Sequence, residues 1–319
     1  MWFVKGSGLS LGKRLASAGL LTVATQLTVR SSSSSASLGD NNNLRVAIIQ
    51  MRVEEEKNLN LAHCAELVEK AANTGADLLV LPEVWNSEYA VGAFRKNAEK
   101  MNFGPSTKLL KMLAKKHKVW IVGGSIPELG DDDCVYNTSP IVNDQGVIVA
   151  THRKVHLFDI DVPNKIRFFE SETLSAGNQA TVVPNFRDHA LGVAICYDMR
   201  FAELAISMRN KGATILCYPG AFNTVTGPLA YQLLARARAL DGQSFVIAAS
   251  PARNPNSSYQ AYGHSIIVDP WGTPVAKAQG HEEEIVVADL SLDAVSDVRA
   301  AMRLWDQRRP DVYDLDTSS

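Results

Sequence analysis

Cysteine is scarce in this chain, with four among 319 residues (Cys64, Cys134, Cys196 and Cys217) and none in a Cys-x-x-Cys pair. So few thiols exclude a disulfide framework and favour a reducing compartment. There is no His-Glu-x-x-His run and no Cys/His cluster, so nothing in the sequence calls for a metal. A polybasic stripe is also missing, which argues against a nucleic-acid partner. No apolar run is long enough to span a membrane; Ser17, Thr22, Thr25, Gln26 and Thr28 interrupt the one candidate. What remains is ordinary globular material: 46% hydrophobic, 21% charged, net charge −2. Such a chain can bury a substantial core.

The first 43 residues differ from the rest. They carry Lys5, Lys13, Arg14 and Arg30, a serine run at Ser31–Ser35, and no acidic residue before Asp40. This composition predicts a mitochondrial transit peptide. A secretory signal and a plain disordered extension are the alternatives, and the cytoplasm is the alternative location. The folded domain is expected over 44–319.

Continuous apolar runs at Arg45–Gln50, Asp77–Pro82, Val119–Gly124, Ala190–Ile195, Ala213–Tyr218 and Ser244–Ser250 read as buried strands. Helical spacing appears at Asn58–Asn73, Val91–Met101, Pro105–His117, Phe201–Lys211 and Leu229–Leu240. This β-α-β alternation predicts a sheet covered by helices. Ser139–Ala150 reads as a hairpin around Asn143–Gly146, and Ser265–Ala276 repeats the pattern. The repetition suggests an internal pseudo-symmetry. The tail Met302–Tyr313 mixes aromatics with arginines and is expected to pack on another surface, a partner subunit being one candidate.

Three segments end on residues of distinct chemistry. Glu83 follows the strand at 78–82, Lys154 follows the first hairpin, and Cys196 ends a buried strand just before a helix. A thiol at such a turn is held rigidly near helix amides that can lower its pKa. A carboxylate, an ammonium and a thiol brought together make an acyl-transfer site. Each alone has a bland reading: a rim carboxylate, a surface lysine, a buried apolar cysteine. Sequence separation does not decide whether they meet.

Leu81-Pro82-Glu83, Arg153-Lys154-Val155-His156-Leu157 and Cys196-Tyr-Asp-Met-Arg200-Phe-Ala-Glu203 together resemble the three signatures of the nitrilase (carbon–nitrogen hydrolase) superfamily. The resemblance runs from about Leu44 to Tyr313 and is closest to its omega-amidase branch. It implies an α/β fold, the four-layer αββα sandwich of the nitrilase type, commonly as a homodimer. It also implies Glu83 as general base, Lys154 as oxyanion stabiliser and Cys196 as nucleophile, with no metal or organic cofactor. A second active-site glutamate falls on Glu170, which the sequence does not separate from Glu172. The implied reaction is hydrolysis of the terminal amide of a dicarboxylate monoamide, such as 2-oxoglutaramate or 2-oxosuccinamate, through a cysteine thioester.

For that substrate Arg200 is the candidate grip on the far carboxylate, with pairing to Asp198 or Glu203 as its structural alternative. Thr226 is a candidate second donor or a helix N-cap. Tyr197 is expected to supply a backbone amide near the oxyanion, and Tyr136 either lines the pocket or packs the hairpin. His156 and His264 read as structural histidines. Within the resemblance, Tyr231 stands where the branch usually has tryptophan, and Asn164 where glycine is common. Three alternatives remain: another activity of the same superfamily, such as a deaminated-glutathione amidase; a papain-type Cys–His hydrolase; and a silent scaffold.

Overall fold

The computed structural model describes residues 42–163 and 166–313. The leader, apart from its last two residues, and Asn164 lie outside the described residues. The first half of the chain builds one sheet. Strand β1 (Asn43–Gln50) leads through helix α1 (Lys57–Ala72) to β2 (Leu78–Val80). Helices α2 (Val91–Asn97) and α3 (Pro105–His117) lead to β3 (Trp120–Val122), followed by β4 (Ile126–Leu129), β5 (Val135–Val142) and β6 (Ile148–Arg153). A small ribbon, β7 (Asp159–Val162) with β8 (Ile166–Phe169), precedes the second half.

The second sheet holds β9 (Thr181–Phe186), β10 (His189–Val193), β11 (Ile215–Pro219), β12 (Phe245–Ala249), β13 (Ile266–Val268) and β14 (Pro274–Lys277). Helix α4 (Ala202–Asn210) joins β10 to β11, and α5 (Gly227–Gly242) joins β11 to β12. Strand β15 (Glu284–Ser291) returns to the first sheet as the antiparallel neighbour of β1, and α6 (Asp293–Ala301) follows. The strand orders are β15-β1-β2-β3-β5-β4, with β6 on β5, and β14-β13-β12-β11-β10-β9.

Period-two alternation explains the layering. Val46 and Ile48 of β1 face the second sheet, where they meet a cluster that includes Leu191, Val193, Ile215 and Ile247. Ala47 and Ile49 face the other way, against Cys64 and Val68 of α1 and Leu110 of α3. On the far side, Leu216, Val246 and Ala248 meet Ala205 of α4 and Ala235 of α5. Helix, sheet, sheet, helix is therefore the order of layers, as the resemblance implied.

The two halves also repeat their turn chemistry. Asn143 Oδ1 accepts the N–H groups of Gln145 and Val147, with Gly146 at φ 77°. Asp269 Oδ1 accepts those of Trp271 and Thr273, with Gly272 at φ 76°. Each is an Asx-type turn that needs a residue tolerating positive φ.

One expectation is corrected. The helix expected to reach Met101 stops at Asn97, because the Glu99 carboxylate is buried and takes Ser106 N–H, Ser106 Oγ and the Lys57 ammonium. The tail lies on a surface rather than in the core: Trp305 sits 3.7 Å from the Arg209 guanidinium and 4.0 Å from that of Arg308. Gln243 Nε2 also donates to Met302 O.

Candidate active site

Glu83, Lys154, Glu170 and Cys196 converge, each fully or almost fully buried. Glu83 leaves the end of β2 on a turn sewn to the neighbouring segment: Val84 N–H donates to Ser125 Oγ, and Ser125 N–H donates to Pro82 O. Gly124, at φ 60°, is required there because a Cβ would collide with Pro82 O. Cys196 leaves the end of β10 with φ 46° and opens a 3-10 turn, Cys196–Arg200, ahead of α4. Positive φ at a non-glycine residue stores strain of about 1–3 kcal/mol, which the surroundings must outweigh.

Asp198 fixes that turn. Its Oδ2 accepts Ile195 N–H at 2.9 Å and lies 3.0 Å from His152 Nε2. Its Oδ1 accepts His156 N–H at 2.9 Å and lies 2.8 Å from His156 Nδ1. Burial works against the Asp198 charge, but the two imidazoles and Ile195 N–H outweigh it and hold its pKa far below the usual carboxylate range. The nucleophile's turn is thereby tied to the strand and loop that carry Lys154.

The Lys154 ammonium donates to Glu83 Oε1 at 2.8 Å and to Glu170 Oε1 at 2.9 Å. Two of its three hydrogens are thus engaged, and one is left to face the site. Burial opposes its charge, but Glu170 and Glu83 outweigh that and keep its pKa well above the ordinary lysine value. Glu170 also accepts Tyr89 Oη–H at 2.6 Å and Phe158 N–H at 2.7 Å. Glu83 Oε1 further accepts Asn137 Nδ2 at 2.9 Å, whereas Glu83 Oε2 is buried with the Cys196 thiol as its one protein neighbour.

Burial pushes the Glu83 pKa up, with Lys154 pulling against it. Burial also pushes the Cys196 thiol well above its ordinary value, with Glu83 adding to the rise. The lowering expected from helix amides is therefore overturned: α4 starts six residues after Cys196, at Ala202, and desolvation wins. The sulfur therefore rests as a thiol, with Glu83 beside it. Ala221 N–H donates to Cys196 Sγ at 3.4 Å and would support the thiolate when it forms.

Cys196 opens on a pocket lined by Phe158, Tyr197, Arg200, Phe222, Thr226 and Tyr259, with about 200 Å³ of empty space including its mouth. The Arg200 guanidinium sits 5.6 Å from the Tyr197 ring and 5.3 Å from the Phe222 ring, and its Nε is buried without a hydrogen-bond partner. Asp198 is spent on His152 and His156, and no ion pair to Arg200 is found among the described residues. Thr226 does not cap α5 through its side chain; its hydroxyl donates to Asn223 Oδ1 at 3.2 Å. Tyr197 lines the pocket, and its N–H lies in the first turn, where backbone donors lack an internal acceptor.

The two candidate glutamates separate cleanly. Glu170 faces Lys154, whereas Glu172 is exposed and lies 3.6 Å from Arg167. Tyr136 is a correction: its Oη donates to Asp132 at 2.6 Å and the Arg153 guanidinium covers its ring. The next residue on β5, Asn137, points to Glu83 instead. His156 stacks on Phe201 at 3.5 Å and bonds to Asp198, away from the thiol, and His264 stacks on Tyr262. Sequence reasoning missed Asn137, Tyr89, Asp198 and Tyr259. Only Asp198, inside the cysteine motif, carried a local signal. Among the described residues, no three His, Cys, Asp or Glu side chains are grouped as metal ligands would be.

A sequence profile described as carbon-nitrogen hydrolase matches residues 45–300. Omega-amidase NIT2 of Danio rerio is 48% identical over 275 residues, covering 86% of this chain and 97% of that protein. Omega-amidase NIT3 of Saccharomyces cerevisiae is 50% identical over 277 residues, covering 85% and 94%. The crystal structure of Saccharomyces cerevisiae Nit3, described as a member of branch 10 of the nitrilase superfamily, superposes with a TM-score of 0.77 at 45% identity. It covers 84% of this chain and 97% of that one.

Proposed function

The chain belongs to the carbon–nitrogen hydrolase family of the nitrilase superfamily and is an amidohydrolase, and on that premise we propose that it is an omega-amidase. Its substrates are 2-oxoglutaramate and 2-oxosuccinamate, cleaved to the 2-oxo dicarboxylate and ammonia. The observation that carries this reading is the half-buried, unpaired Arg200 guanidinium in the same pocket as Cys196. A cation held apart from every carboxylate among the described residues is matched to a carboxylate brought by the substrate. Deaminated glutathione remains the alternative substrate within the superfamily.

In this reading Glu83 Oε2 takes the Cys196 proton and the sulfur attacks the amide carbon. The proton stays inside the site, so its net charge is unchanged while the nucleophile forms. The third Lys154 hydrogen and Tyr197 N–H hold the oxyanion. Glu83 then passes the proton to the departing nitrogen, leaving a thioester. Water, deprotonated by Glu83, completes the hydrolysis. Glu170 touches no reacting atom; it holds Lys154 in line with help from Tyr89 Oη and Phe158 N–H.

Arg200→Leu tests the substrate class. It lowers kcat/KM for 2-oxoglutaramate by about a hundredfold, the worth of a partly desolvated bidentate pair. The same variant leaves turnover of a neutral amide of similar length within about twofold. Equal losses on both amides would remove the carboxylate from the reading.

The protein acts as a homodimer, with the outer face of α5 as the contact. Leu229 and Leu233 are one turn apart there and 75% and 65% exposed, beside Leu240 and Trp271. Such a stripe is costly to leave in water. Light scattering reads a dimer for the native chain and a monomer for Leu229→Glu/Leu233→Glu; a native monomer would contradict it. The leader composition supports mitochondrial import, and unprocessed protein in cytosolic fractions would count against it.

A further inference from the structure

A second cavity adjoins the site on the Glu83 side. It encloses about 360 Å³ of empty space including its mouth, more than the Arg200 pocket and ample for water and ammonia. Glu83 forms part of its wall with Val53, Ser87, Glu88, Ala252 and Asn254. Ala221 and Tyr259 line both this cavity and the Arg200 pocket, so they form the partition between them. That partition is fastened: Tyr259 Oη donates to Ala221 O at 2.5 Å, and the Tyr259 ring packs 4.5 Å from Tyr89.

The two spaces differ in chemistry. The Arg200 pocket is walled largely by aromatic rings around one cation, which suits an acyl chain ending in a carboxylate. The second cavity offers a carboxamide, two serine hydroxyls and two carboxylates, which suits water and ammonia. Glu83 Oε2 is buried with the Cys196 thiol as its one protein neighbour, and a water in the adjoining cavity is the natural way to fill its remaining acceptor capacity. The acyl chain, stretched from Cys196 to Arg200, closes the first pocket during the interval when ammonia must leave and water must arrive.

We propose that this second cavity is the exchange port of the reaction, through which ammonia leaves and the deacylating water enters beside Glu83. The inference rests on the thioester reading above. In acylation the C–N bond breaks, the C–S bond forms and ammonia carries off the thiol proton by way of Glu83. In deacylation the water oxygen bonds to the acyl carbon and the C–S bond breaks. Glu83 moves one water proton to the departing sulfur.

The port is tested by partition of the thioester between water and hydroxylamine, with succinamate as acyl donor, a monoamide without the ketone that hydroxylamine would convert to an oxime. Hydroxylamine attack gives a hydroxamate and the free thiol; water gives the acid and the free thiol. The ratio of the two products depends only on what reaches the thioester, so it is blind to the active fraction and to the acylation rate. Val53→Phe, which narrows the cavity, lowers the hydroxamate-to-acid ratio by about fivefold, while Val53→Ala raises it by about twofold. Ala252→Val, a milder plug in the same wall, moves the ratio in the direction of Val53→Phe. A ratio unchanged in all three variants overturns the port and routes both nucleophiles through the Arg200 pocket. A native enzyme that releases no ammonia from 2-oxosuccinamate defeats the functional reading itself, and the port with it.

Discussion

Lys154→Met lowers kcat for 2-oxoglutaramate by about a thousandfold and destabilises the fold by about 3 kcal/mol. Both effects have one origin. The ammonium is buried between Glu83 and Glu170, at 2.8 and 2.9 Å. Methionine fills the volume but leaves two buried carboxylates facing each other, which must take up a proton or pay for their repulsion. A proton taken up by Glu83 disables the base, and the oxyanion has also lost its charged donor. The double variant Lys154→Met/Glu170→Gln separates the two consequences. It recovers most of the stability in urea unfolding, because one of the stranded charges is gone, yet stays inactive. Full activity in Lys154→Met would sink the assignment and favour a Cys–His mechanism.

Glu83→Gln lowers kcat/KM by about a thousandfold, within the range for loss of a positioned general base. In the native enzyme the Glu83 pKa is raised, by burial first, with Lys154 opposing. The base works as the carboxylate, so activity falls as pH drops through that raised value. The acid limb of kcat/KM therefore lies above the ordinary glutamate range. Lys154 stays charged well past the ordinary lysine range, so no alkaline limb from it appears near neutrality. An acid limb at or below the usual glutamate value would show that another group acts as base.

The parts of this site that were legible in the sequence are those fixed by strand ends. Glu83, Lys154 and Cys196 each stop an apolar or hairpin run, and parallel strands in two facing sheets bring such ends together. The choices that failed or stayed open turn on one residue of register. Tyr136 and Asn137 are neighbours on β5, whose residues are all buried. Alternation cannot tell which of them faces the catalytic carboxylate when both faces of a strand are covered. Glu170 and Glu172 share one 3-10 turn, and only the packing of the β7–β8 ribbon turns the first inward. Tyr89 and Tyr259 approach the site from loops far apart in the chain, and no local pattern marks them.

The account stands or falls on a covalent bond to Cys196. Enzyme mixed with 2-oxoglutaramate, quenched in acid and weighed intact, is expected to carry one acyl group. The added mass is that of the substrate less ammonia, and it lies on the peptide containing Cys196. Ammonia release without any adduct at Cys196, or with one on another residue, would contradict it.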